Sequence, residues 1–137
     1  MTLHVDLVAY LTAHSGIELA VPGGVFHETY PQQQETFPVM TLQKAGDLET
    51  DIDMEYPDEP TGDILNEARY QFDIWGITTE QVKDAEDAVH SVLRTLRGVI
   101  GTTRIHRLER TNSQDLGERF GDKRRRRVSM DYVITFS

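Results

Sequence analysis

The chain has 137 residues, no cysteine, a formal charge of -9 and a pI near 4.9. That length suits one domain whose core needs no covalent staple. The missing cysteine excludes disulfides, thiolate metal sites and a cysteine nucleophile, and the acidity argues against general affinity for nucleic acid or anionic membrane. The opening "MTLHVDLVAYLTAHSG" lacks the cationic flank and long apolar run of a signal peptide, and no stretch approaches the ~20 apolar residues of a membrane span. The expectation is a soluble protein made in the cytoplasm.

Leu3, Leu7, Tyr10 and Leu11 recur at helical spacing, which predicts a helix over 3–15 with Thr2 as cap and Gly16 ending it in the left-handed conformation. "VPGG" at 21–24 is a turn signal. "VFHETYP" and "FPVMTLQKA" read as extended segments, with Pro38 at the start of the second. Residues 46–66 carry eight carboxylates, two prolines and no basic side chain, so they read as a long exposed acidic loop between strands. "RYQFDIWG" alternates, placing Tyr70, Phe72 and Ile74 on one face and Arg69, Gln71 and Asp73 on the other. Thr78 and Gln81 form a capping-box pattern opening a helix whose buried stripe is Val82, Ala85, Val89, Leu93 and Leu96; Gly98 stops it. Its acids lead and its arginines trail, the order that the helix dipole favours.

"VIGTTRIHRLERT" at 99–111 reads as a strand with a bulge, because Ile105 and Leu108 have opposite parity. "NSQDLGERFGD" reads as a polar loop. A last strand presents Val128, Met130, Tyr132, Ile134 and Phe136 on its core face, against Arg127, Ser129, Asp131 and Thr135. The predicted fold is α+β: a single domain over 1–137, mainly antiparallel sheet, with two helices on one sheet face and the long acidic loop between strands. The other face is expected to be polar, through Arg69, Gln71, Asp73, Ser129, Asp131 and Thr135. Trp75 is read as closing one end of the core, the alternative being an anchor for a partner.

Little in the sequence points to catalysis. His4, His14, His27, His90 and His106 show no ligand spacing with a third partner. Asp51, Asp53 and Glu55 imitate the start of a calcium loop, which then fails where Tyr56 replaces the required Gly and Gly62 the closing Glu. No P-loop, nucleophile elbow or dinucleotide fingerprint is present. The expectation is a non-enzyme with no cofactor and no metal site.

The opening helix "LVAYLTAHSGI", the extended pair "VFHETYPQQQETFPVMTLQKAG", the strand and helix "RYQFDIWGITTEQVKDAEDAVHSVLRTLRG" and the closing "RRRRVSMDYVITF" resemble, in that order, the tail completion (tail terminator, tail-to-head joining) proteins of long-tailed bacteriophages. The resemblance spans nearly the whole chain. It implies a small α+β subunit that forms a ring, generally a hexamer, at the head-proximal end of the tail tube. Such a ring ends tube polymerisation and joins the tail to the head, with a virion location at the tail–neck junction. The implied partners are the chain itself, the major tail-tube protein, a head-completion, stopper or connector protein, and genomic DNA passing transiently through the lumen; no membrane is implied. No catalytic residue belongs to the family pattern. The acidic loop is longer here than in the family, and the run of four arginines is unbroken.

Five consecutive cations, Lys123, Arg124, Arg125, Arg126 and Arg127, stand out in so acidic a chain. With the acids Asp47, Glu49, Asp51, Asp53, Glu55, Asp58 and Glu59 they form a complementary pair suited to a head-to-tail ring contact or to a neck partner. Solvated charge is the plainer alternative. Other readings are a stopper or adaptor of the neck, or a nucleic-acid-binding module built on 123–127. Strand parity continues Arg124 and Arg126 along the core side and puts Arg125 and Arg127 on the polar face.

Overall fold

Alternating apolar side chains at 68–74 and 128–136 frame the molecule, a computed structural model of which describes residues 3–45, 50–52, 65–120 and 123–137. The elements in chain order are α1 (Leu3–Ala13), α2 (Ser15–Ala20), β1 (Val25–His27), β2 (Val39–Lys44), β3 (Thr50–Ile52), β4 (Leu65–Gly76), α3 (Thr79–Leu93), β5 (Gly98–Ile100), β6 (Thr103–Phe120) and β7 (Lys123–Phe136). The described strands form one seven-stranded sheet in the order β1-β2-β4-β7-β6-β5, with β3 also pairing with β4. All pairings are antiparallel except β1 with β2. The α+β architecture is therefore as expected, with a third, short helix added.

One sheet face carries the main core. Tyr70, Phe72 and Ile74 of β4 and Val128, Met130, Tyr132 and Ile134 of β7 are buried against Leu3, Leu7 and Leu11 of α1, Ile17 of α2 and the Val82, Ala85, Val89, Leu93 stripe of α3. Packing one apolar stripe per helix onto one apolar sheet face is what these periodicities require. Thr78 caps α3, its Oγ1 accepting from the Gln81 N–H at 3.1 Å, while Gln81 Oε1 accepts from the Ile77 N–H at 2.8 Å. The box is thus shifted back by one residue. Thr78→Ala is expected to cost about 1 kcal/mol in urea unfolding, the usual loss for a hydroxyl cap. The helix ends earlier than expected, at Leu93 with Arg94 as a right-handed C-cap, so Gly98, at φ +100, turns the chain into β5 rather than stopping α3, and Leu96 is buried beyond the helix.

Several expectations change. The first helix ends at Ala13, and Gly16 lies inside α2 rather than terminating α1. His14 takes the role of cap: its Nδ1 accepts from the Gly16 N–H at 3.1 Å and the Ile17 N–H at 3.4 Å, so the chain restarts a helix at once. Thr2 lies outside the described residues. Within the stretch read as acidic loop, Thr50–Ile52 pair as β3 with residues 65–67, and β4 begins at Leu65, which is buried. Residues 46–49 and 53–64 lie outside the described residues.

The segment read as a polar loop is strand: β6 runs on to Phe120 and pairs with β7 as far as Lys123. Its 111–115 side chains are exposed on both faces, so no alternation survives in the sequence, and the ladder with β7 holds the conformation instead. The bulge expected between Ile105 and Leu108 occurs between Ile105 and Arg107, and a second lies between Arg110 and Asn112.

Candidate functional site

The second sheet face follows from the odd-numbered positions of β2, β4 and β7. Register places Val39 opposite Trp75, Thr41 opposite Asp73, Asp73 opposite Ser129 and Trp75 opposite Arg127, all on the face away from the helices. Expected to be polar, this face instead carries a second apolar cluster at one end: Phe37, Val39 and Trp75, with Phe26 and Tyr30 packed against it. Trp75 therefore does not close the main core. Its indole N–H donates to Thr41 Oγ1 at 3.1 Å, and Tyr30 meets it edge-on at 5.5 Å between centroids. Phe37 stands perpendicular to Tyr30 at 5.9 Å. A cleft of about 390 Å³ opens beside this cluster, lined by Glu28, Thr29, Tyr30, Gln32, Thr41 and Trp75.

The arginine run borders the same cluster. The Arg125 guanidinium lies 4.6 Å from the Phe37 ring centre and that of Arg127 5.1 Å from the Trp75 ring, both at cation–π distance. Arg127 also reaches Asp73 Oδ2 at 3.5 Å; Asp73 is buried and accepts twice from the Gln71 amide, at 3.0 and 3.1 Å. Arg126 points the other way, its Nε donating to Thr79 Oγ1 at the start of α3 at 2.9 Å. The expected parity of the run therefore holds for these three. Lys123 and Arg124 pair through their backbones opposite Phe120 and Arg119, beyond the end of β4. Asp51 lies in β3 opposite Asn66. Asp47, Glu49, Asp53, Glu55, Asp58 and Glu59 lie outside the described residues.

The reading of residues 69–76 missed the aromatic cluster because Trp75 ends a strand whose other odd positions are polar. A signal was available: Phe37, Val39 and Trp75 share odd parity, and Tyr30 follows a short strand that brings it near.

On the core side lies a different polar group. The Tyr132 hydroxyl sits 2.5 Å from His90 Nδ1, and burial pushes its pKa far above the ordinary phenol value, so it stays protonated. Burial, and then the nearby Arg110 and Arg94, hold His90 below the usual imidazole value, against smaller opposing effects of Glu86 and Asp87. His4, stacked on His27 at 4.3 Å, is lowered by burial and then by His27. Both groups bind fewer protons folded than unfolded just below the ordinary imidazole value of 6.5, so stability rises with pH through that window. The stabilisation is complete above about pH 6.5 and is lost as the pH falls through the lowered values. Thermal midpoints between pH 7.5 and 5 are expected to fall, and His90→Gln is expected to flatten that slope.

Among the described residues, no group of three His, Cys, Asp or Glu is placed to hold a metal ion, and no helix is long and apolar enough to cross a membrane. What the second face offers chemically is a contact surface: aromatic rings, an apolar cleft and arginines already oriented by their partners.

The family model described as tail completion protein gp17 matches residues 5–137. Among solved structures, a chain of the virion of a native gene transfer agent (GTA) particle has a similar fold, with a TM-score of 0.64 over 96% of this chain and 93% of that one at 13% identity. No curated protein sequence matches.

Proposed function

From the premise that this chain belongs to the tail completion protein gp17 family, and so is a structural protein of a phage-type tail, we propose that it forms a ring at the head-proximal end of the tail tube. There it stops tube polymerisation and joins the tail to the head or neck. The observation that carries this reading is the reach of the family match, which takes in both helical and sheet layers rather than one motif. The similar fold of a chain in a GTA virion supports a place inside a particle.

Removing the coding sequence from the phage and imaging the lysate tests the role. Filled heads and unjoined tails of uncontrolled length are expected. Joined tails of normal length would overturn it, and unjoined tails of normal length would move the chain to a stopper or adaptor position. Purified chain or isolated necks viewed by negative stain should show a closed ring, six-fold in the family's general pattern.

Within that ring, the cations of 123–127 and the acids of 47–59 meet between neighbouring copies or at a neck partner. Their opposite charges support the assignment. Lys123→Glu combined with Arg124→Glu is the informative variant, because Arg125, Arg126 and Arg127 have partners within the chain whose loss would confound the result. Assembly should weaken, and the defect should depend on salt. Unchanged assembly at low salt would reject the contact.

A further inference from the structure

The cleft on the second sheet face has a counterpart on the opposite side of the same molecule. Leu19 of α2 is 85% exposed, the most exposed large apolar side chain among the described residues. Its helix is held by Ile17, buried in the main core, so Leu19 is a fixed knob rather than part of a loose tail. The cleft lies on the sheet face away from α2, so no chain can fill its own cleft with its own Leu19. We propose that Leu19 of one copy seats in the Trp75–Tyr30–Thr41 cleft of the next.

Three features favour a second copy as the occupant. An apolar knob and an apolar cleft on opposite sides of one subunit make a heterologous contact, the kind that closes into rings. The cleft volume, about 390 Å³, admits a leucine side chain with part of its helix. Charge is also complementary: residues 3–20 contain Asp6 and Glu18 but no lysine or arginine, whereas Arg125 and Arg127 border the aromatic cluster. Glu18, adjacent to the knob and exposed, would approach those guanidinium groups. Glu28 in the lining adds one negative charge, against the two guanidinium groups.

The inference rests on the ring reading, and the cysteine-free chain gives a clean test of both. In rings of purified chain or in isolated particles, the double variant Leu19→Cys with Thr29→Cys should oxidise to a ladder of covalently linked oligomers on a non-reducing gel. Each single variant should remain monomeric. Thr95→Cys with Thr29→Cys serves as the control and should give no ladder. Leu19→Ala should weaken ring association by roughly 10- to 100-fold, the loss expected for a buried leucine side chain. Closed rings without the ladder would overturn this contact and leave the ring reading standing. Failure of any copy-to-copy assembly, in solution or in particles, would overturn both.

Discussion

Replacing Trp75 with alanine is expected to destabilise the domain by about 3 kcal/mol, the lower end of the range for removing a large buried aromatic. Trp75 is 8% exposed, and among the described residues its cluster has Phe37 and Val39 as the other buried members, with the partly buried Phe26 and Tyr30 against them. Little else can collapse into the space. The substitution removes the edge contact with Tyr30, the ring beneath Arg127 and the donor to Thr41 Oγ1 together. Trp75→Phe keeps a ring but loses the N–H, and should cost roughly half as much, with the Thr41 hydroxyl left without that donor. Urea titrations check both, provided the denaturant slope stays constant. A Trp75→Ala loss below about 1 kcal/mol would show that the second cluster is not a packed unit. Because the cluster walls the cleft, the proposed copy-to-copy association should fall in Trp75→Ala beyond what the stability loss explains.

How much of this was legible beforehand depended on whether a residue's role is periodic. The Val82, Ala85, Val89 and Leu93 stripe of α3, its Thr78 cap and the even-numbered core of β7 all follow from spacing, and the structure has them where spacing puts them; the expected Gly98 stop is not among them, since α3 ends at Leu93 and Gly98 opens β5. The restart at His14 was hidden because an imidazole acting as cap has no strong sequence signature beside the usual hydroxyl and carboxylate caps. Residues 112–120 were hidden for another reason: they form strand through pairing with β7, while their 112–115 side chains stay in water. The second face depended on register. Only the pairing of Val39 with Trp75 and of Trp75 with Arg127 brings one strand's aromatic under another's arginine. Parity did foretell that Arg125 and Arg127 leave the core side. It could not foretell that aromatic rings would meet them.

That meeting changes what the arginine run is expected to do energetically, and Asp73→Ala exposes it. Side-chain exposure is 6% for Asp73 and 20% for Arg127, so neither charge is well solvated. Removing the carboxylate leaves a largely buried guanidinium without that counter-charge, and the Gln71 amide loses both of its acceptors. A loss of about 3 kcal/mol is expected. Arg127→Ala should cost less, because Asp73 keeps its hydrogen bonds from Gln71. The double variant is the decisive measurement. If the pair acts as a unit, Asp73→Ala with Arg127→Ala should be less destabilised than the sum of the singles by about 1 to 2 kcal/mol. Simple additivity would mean that the approach of Arg127 to Asp73 contributes nothing. The Arg107–Glu109 pair on β6 is the internal contrast, since both side chains are more than half exposed. Arg107→Ala should stay within about 0.5 kcal/mol of the parent and respond to salt, whereas the Asp73–Arg127 coupling should persist at high salt. Of the described cations in the run, Arg127 therefore acts first as part of the fold, and an assembly contact through it would depend on the Asp73 pair being intact.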